Sequence, residues 1–278
     1  MKKSLTKEQE LEVCRLWESK KVSLKDLASK YSTCTATITR CVRKYGIKPR
    51  HFKNHKFNEN YFDKIDTEDK AYFLGFLYAD GYNNTERYYL SITLKWSDRE
   101  ILEKFRKYLG ADNEVRFKIT GDYKKCLFII CGKHISKTLH DLGCPQKKSL
   151  ILKFPTYDAV PKILLKHFVR GYFDGDGCFG EYASKNGYKK YCLHISSTKN
   201  FCESLKTLLL EELQIHSSVY VIKNKSNNGI TSALCCGCKS SVYKFLSWIY
   251  DDAKVYLDRK YKKYKESVKN QAVTIEVV

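Results

Sequence analysis

The chain of 278 residues has only 4 prolines and 14 glycines, so neither a collagen-like repeat nor a low-complexity tract fits it. It also lacks long apolar runs. Stretches such as Cys126–Cys131 are among the longest, and they are far too short to cross a bilayer. The opening residues, MKKSLTKEQELE, place Glu8, Glu10 and Glu12 where a secretory leader needs an apolar centre, so no leader is expected. Negative charge is scarce: 31 Asp+Glu stand against 51 Lys+Arg, leaving a formal charge of +20. What is present suits a folded protein, with 43% hydrophobic residues and length for one large or two modest domains plus a small appendage.

Twelve cysteines without a leader point to a reducing, intracellular compartment, where most thiols serve as small buried hydrophobes. Cys235 and Cys238 have the C-x-x-C spacing of a zinc pair. No second pair matches them, and their run (TSALCCGC) reads as a strand, so zinc is not expected.

A surface of +20 attracts polyanions, and counterion release makes nucleic acid the commonest such partner. A membrane surface is the rival, but Lys and Arg are spread over the whole chain instead of along one amphipathic helix. The first 56 residues hold 15 Lys+Arg and 5 Asp+Glu, half the excess in a fifth of the length. Residues 5–46 read as three short helices. Thr6 and Gln9 form a capping box, followed by Leu11, Cys14 and Trp17 at helical spacing. Ser23 can cap a second helix with Leu24, Leu27, Ala28 and Tyr31 inward. A third carries Ile38, Val42 and Tyr45 inward and stops at Gly46. Thr35, Thr39, Arg40 and Arg43 then face outward, where a DNA-reading third helix places its contacts. LKDLASKYSTCTATITRCVRKYG resembles the helix-turn-helix of resolvases and related DNA-binding modules.

The most informative feature is a self-similarity. AYFLGFLYADGY (71–82) and HFVRGYFDGDGC (167–178) align without gaps at an offset of 96 residues, pairing Gly75 with Gly171, Asp80 with Asp176 and Gly81 with Gly177. Residues 71–79 are apolar nearly all round, so their helix is expected to be buried on several sides. Gly75 and Gly171 remove a Cβ from the same turn and permit two helices to meet backbone to backbone. Gly81 and Gly177 are expected in the left-handed conformation that ends a helix. Helices packed in this way bring Asp80 and Asp176 together, and two nearby carboxylates favour a cation between them. All-oxygen ligation suits Mg²⁺, with Mn²⁺ an acceptable substitute.

At these residues the sequence resembles the LAGLIDADG homing endonuclease family in its single-chain, two-repeat form. FLGFLYADG (73–81) and VRGYFDGDG (169–177) stand in place of the two motifs. Tyr78 replaces a common acidic residue that Asp174 keeps. The resemblance covers roughly residues 57–268. It implies an αββαββα fold per repeat and metal-dependent cleavage of both DNA strands across the minor groove, with Asp80 and Asp176 as metal ligands. Backbone carbonyls of Ala79 and Gly175 are further ligands by the same likeness. Lys148 and Lys260 fall near the places where members carry a lysine beside the cleavage centre. They stand 112 residues apart, and Lys147, Lys262 and Lys263 compete for the assignment. An ammonium there stabilises charge developing on phosphorus.

The strands are readable by alternation. YYLSITLKW (88–96) sets Tyr88, Leu90, Ile92, Leu94 and Trp96 against Tyr89, Ser91, Thr93 and Lys95. VRFKIT (115–120) sets Val115, Phe117 and Ile119 against Arg116, Lys118 and Thr120. Asn186-Gly187 marks a hairpin, and KYCLHISS (190–197) sets Tyr191, Leu193 and Ile195 against Cys192, His194 and Ser196. The polar sets, including Arg116, Lys118 and His194, are candidate DNA contacts in a major groove.

The expected fold class is therefore α+β. It comprises two pseudo-symmetric αββαββα repeats whose antiparallel sheets form a DNA-binding saddle, and a small all-α helix-turn-helix. The expected divisions are 1–47 for the helical module, 48–58 for a basic linker, 59–160 and 161–268 for the repeats, and 269–278 for a tail. The expected function is a monomeric, site-specific double-strand DNA endonuclease. The closing residues, TIEVV, lack the His-Asn end of an intein, which favours a freestanding or intron-encoded enzyme. Binding of intron RNA as a maturase, and a non-catalytic transcriptional regulator on the same fold, are the alternatives.

Overall fold

Reciprocal side-chain caps start the first two helices of the computed structural model, which describes residues 5–19, 22–47, 55–183, 186, 189–223 and 230–275. Thr6 and Gln9 cap α1 (Lys7–Glu18), and Ser23 and Asp26 cap α2 (Leu24–Lys30). Helix α3 (Thr35–Lys44) is followed by Gly46 at φ +69°, a left-handed stop. Val13, Cys14, Trp17, Leu27, Ala28, Ile38, Cys41 and Val42 form a separate small core. Leu11, at helical spacing with Cys14 and Trp17, is nevertheless 53% exposed, and Val13 joins those two as the buried residues of α1. Residues 1–54 form one unit and 55–278 another; linker residues 48–54 lie outside the described residues.

The larger unit runs α4 (Glu68–Asp80), β1 (Gly81–Asn84), β2 (Tyr89–Lys95), α5 (Arg99–Tyr108), β3 (Arg116–Thr120), β4 (Tyr123–Cys131) and α6 (Lys133–Asp141). The order then repeats as α7 (Leu165–Asp176), β5 (Gly177–Ala183), β6 (Lys189–Ser197), α8 (Lys199–Leu213), β7 (Ser218–Lys223), β8 (Ile230–Cys236) and α9 (Lys239–Tyr250). Helix α10 (Asp258–Ile275) follows and continues through the start of the expected tail. Each repeat has an antiparallel four-stranded sheet, ordered β1-β2-β4-β3 and β5-β6-β8-β7. The fold is α+β with two matching halves. Gly187 of the expected hairpin turn lies outside the described residues.

Strands β2 and β6 alternate as their sequences indicate, burying Leu90 and Ile92 in one and Leu193 and Ile195 in the other. Strand β3 does not: all five of its residues are exposed. It is an edge strand, with Ile119 64% exposed and Phe117 covered on one side by the edge of the Trp96 ring at 4.9 Å. Of the cysteines, Cys14, Cys41, Cys126, Cys144, Cys202 and Cys236 are buried, whereas Cys131, Cys178 and Cys238 are exposed. The thiols thus fill the core less than composition suggests.

The two repeats meet through α4 and α7. A Cβ on Gly75 would lie 2.0 Å from the carbonyl oxygen of Phe168, and one on Gly171 would lie 1.9 Å from that of Tyr72. The contact is backbone on backbone, so no larger residue fits. Gly81 and Gly177 correct the sequence reading. Both are extended, at φ −76° and −98°, and lead straight into β1 and β5. Glycine is required there for space: a Cβ would meet the Leu77 carbonyl at 2.6 Å or the Phe173 ring at 2.0 Å.

Buried polar networks lock the halves further. Arg170, fully buried, donates to Glu68 Oε1 at 2.6 Å, to Ile249 O at 2.9 Å and to Val255 O at 2.8 Å. Glu68 Oε1 also accepts from the backbone N–H groups of Lys254 and Val255, so this one oxygen joins the two repeats through three donors. Asp174 accepts from Tyr72, Tyr250 and the Leu257 N–H. Its counterpart Tyr78 instead donates to Leu142 O at the end of α6. Both positions anchor the last helix of their own repeat.

A Gly171→Ala substitution is expected to cost about 3 kcal/mol or more, the upper range for overpacking, measured by urea unfolding. An effect below 1 kcal/mol would mean that the helices can separate freely.

Candidate active site

Because α4 and α7 touch through their glycines, their C-terminal turns emerge together. A Cβ on Gly175 would lie 2.3 Å from the Ala79 Cβ and 3.0 Å from Asp80 Oδ2, so the Asp80 carboxylate overhangs the last turn of α7, one residue from Asp176. Both acids keep solvent exposure. The surrounding protein nevertheless displaces enough water to push Asp80 up to about 6, with the Asp176 charge the next cause. Asp176 is raised as well, first by burial.

Two lysines approach this centre in matching fashion. Lys148 donates to Gly81 O at 2.5 Å and Ala79 O at 3.3 Å, while Lys260 donates to Gly177 O and Phe173 O, both at 2.5 Å. Gly81 and Gly177 are related by the 96-residue offset, so the two ammonium groups occupy equivalent places. Burial separates them from their neighbours: Lys148 and Lys260 are buried, whereas Lys147, Lys262 and Lys263 are exposed. Burial also brings Lys260 down to about 8. The influences on the acids cross over. The strongest ammonium influence on Asp80 comes from Lys260, and that on Asp176 from Lys148.

A cation at this centre would have two carboxylates and the carbonyls of Ala79 and Gly175 as candidate donors, all hard oxygens. Two mutually repelling acids with raised proton affinity fit a divalent ion of the magnesium type. Among the described residues no three His, Cys, Asp or Glu side chains cluster as metal ligands, so water or phosphate oxygens would complete any such shell. The engagement of Ala79 O by Lys148 makes it the weaker carbonyl donor.

The remaining candidate residues stand on the two sheets and on α3. On β2, Tyr89 and Ser91 are half-buried and Thr93 and Lys95 exposed. Strand register sets Thr93, Leu127 and Arg116 in one row, and Lys95, Lys125 and Lys118 in the next. Lys125 was legible only through the alternation Cys126, Phe128, Ile130 and the pairing of β4. His194 is half-buried between Cys178 and Cys235 on neighbouring strands. On α3, Thr35, Arg40 and Arg43 are exposed, whereas Thr39 turns its hydroxyl back to Thr35 O at 2.9 Å. Among the described residues no helix is long and apolar enough to cross a membrane.

The family profile described as LAGLIDADG-like domain matches residues 164–249, from the head of α7 to the end of α9. The likeness to that domain rests on this segment. No curated protein sequence matches the chain. Among solved structures, the LAGLIDADG homing endonuclease I-GzeII in complex with its DNA target shares 15% identity at a TM-score of 0.48, over 74% of this chain and 89% of that one. The LAGLIDADG meganuclease I-AabMI bound to uncleaved DNA shares 14% at 0.48, over 76% and 92%. Full-length DUF199/WhiA from Thermatoga maritima shares 18% at 0.46, over 77% and 64%. The LAGLIDADG-like segment contains Gly171, Asp174 and Asp176, and the 96-residue offset carries its motif onto Gly75, Tyr78 and Asp80.

An acid that holds its proton more tightly in the fold than in the unfolded chain destabilises the fold as it ionises. For Asp80, with an ordinary value of 3.8 raised to about 6, that cost is absent below about pH 4 and complete above about pH 6. Without divalent ions, Asp80→Asn is therefore expected to melt above the parent at pH 8, with the gap closing toward pH 4. Mg²⁺ should raise the melting temperature of the parent and leave the variant unmoved. A gap independent of pH would contradict the repulsion at this centre.

Proposed function

We propose that the chain is a DNA endonuclease of the LAGLIDADG type, hydrolysing one phosphodiester in each strand of a specific duplex. The observation that carries this reading is the pairing of Asp80 with Asp176 at the joint end of two glycine-packed helices, each end reached by a buried lysine. A bound Mg²⁺ would lower the pKa of a coordinated water and offset phosphate charge. Asp80 and Asp176 would hold the ion, with the carbonyls of Ala79 and Gly175. Lys148 and Lys260 place their remaining N–H donors where charge develops on the phosphate. They need no reorganisation, because carbonyls already fix both ammonium groups.

The two sheets supply the surface that places DNA over the acids. The row of Lys95, Lys125 and Lys118, beside Arg116 and Thr93, offers phosphate and base-edge donors across three strands. On the second sheet His194 and its neighbours face the same task. The helical module, through Thr35, Arg40 and Arg43, would extend the contacted duplex, with Thr39 contributing through its methyl group.

The test begins with duplexes selected by the protein from a randomised library and, where a coding-sequence insertion is known, from its junction. The parent is expected to cut both strands in Mg²⁺. Asp80→Asn and Asp176→Asn should each lower cutting more than about 100-fold with binding retained, and Lys148→Met or Lys260→Met by a comparable factor. Selective binding without cutting would overturn the enzyme and favour a regulator, and tight binding of host intron RNA alone would favour a maturase. Removal of residues 1–56 should weaken binding and flatten its dependence on salt by about one unit of slope or more. An unchanged slope would mean that the helical module does not touch phosphates.

A further inference from the structure

Arg259 stands in the first turn of α10, directly before Lys260, and its Nε donates to both carboxylate oxygens of Asp98, at 3.2 and 3.0 Å. Asp98 belongs to the other repeat, where it occupies the N-cap of α5. An aspartate there ordinarily accepts from backbone N–H groups of the first turn. This one makes no such bond, although it is buried, and turns its carboxylate toward Arg259. Thr198, at the N-cap of α8 in the second repeat, does cap its helix, accepting from the Phe201 N–H. The two repeats have thus diverged at a position where ordinary capping would have served both.

The arginine is not consumed by this ion pair. A guanidinium carries five donors, and engaging Nε leaves the two terminal amino groups. The side chain stays 53% exposed. Together with Lys260 and Lys263 it lines an open cavity of about 290 Å³ whose remaining wall is Gly175, Gly177, Cys178 and Phe179, beside the turn that carries Asp176. Three cations and no carboxylate line that space. A second cavity, of about 200 Å³, flanks the centre through Lys148, Ser149, Tyr172 and Asp176, and holds a single cation. The 112-residue spacing that pairs Lys148 with Lys260 pairs Arg259 with Lys147, which is exposed and sits at φ +58°. A planar fork therefore lines the cavity on one side of the centre, whereas Lys147, in the matching place, does not line the other.

From this geometry we infer that Arg259 grips a DNA phosphate on one strand only, held for that task by Asp98 across the repeat boundary. The inference rests on the endonuclease reading. Asp98 is a positioning residue: it fixes the guanidinium plane so that the free amino groups point as a pair at two phosphate oxygens, a match that lysine lacks. The two scissile bonds are then served unequally.

Strand-resolved cleavage of a plasmid carrying a library-selected duplex tests this. Arg259→Ala should slow one strand about tenfold or more while the other stays near the parent rate, so that nicked circles accumulate. Arg259→Lys should not restore the slowed strand, and Asp98→Asn should slow the same strand to a lesser degree. A second measurement needs no cutting. In EDTA, single neutral methylphosphonates are walked through both strands of the selected duplex. One position is expected to weaken binding of the parent and have no effect on Arg259→Ala. Equal slowing of both strands, or the absence of such a position, overturns the inference and leaves Arg259 and Asp98 as a brace between repeats. Should the parent cut neither strand, the endonuclease reading fails, and the methylphosphonate walk still decides whether Arg259 holds a phosphate.

Discussion

The structure depends on a contact in which two helices have no side chains between them. At Gly75 and Gly171 the backbones of α4 and α7 approach closely enough that a single methyl group would collide with a carbonyl. Everything at the centre follows from this closeness. It fixes where both helices end, and both end in an aspartate. Each helix then passes through an extended glycine into the first strand of its sheet, so the acids and the two sheets are set by the same pair of helices.

Closeness carries an electrostatic cost. Two acids at adjoining helix ends, with partial negative charge from the helix termini, resist ionising together. Buried cations answer only part of it. Lys148 and Lys260 are fixed to carbonyls flanking the acids and stop short of forming ion pairs with them. Deeper in the interface, Arg170 with Glu68 and Asp174 with its tyrosines use buried charge differently, as hydrogen-bonded anchors for the helices that close the second repeat. Charge between the two repeats is thus partnered deep in the interface and crowded where the helices end.

The 96-residue repeat, the two glycines and the two acids were legible in the sequence, because each is a local pattern written twice. The alternation of β2 and β6 was legible for the same reason. The rest depended on long-range pairing. Arg170 reads as a polar interruption of an apolar helix, and its partners at Glu68 and Val255 are remote in sequence. Lys148 could not be told from Lys147, nor Lys260 from Lys262 and Lys263, because adjacent lysines differ only in burial. Lys125 joined its row through strand register, and β3 looked half-buried because its sequence alternates, although at the sheet edge only the Trp96 ring reaches over Phe117. Gly81 and Gly177 were rightly placed at helix ends for the wrong reason: crowding by Leu77 and Phe173 demands glycine there, and handedness does not.

On the proposed function, Asp80 and Asp176 form one divalent-ion centre. Manganese anomalous diffraction from crystals of the protein on a selected duplex would locate it. An anomalous peak bounded by carboxylate oxygens of both residues is expected. A peak held by other side chains, or none at either acid at saturating Mn²⁺, would contradict it.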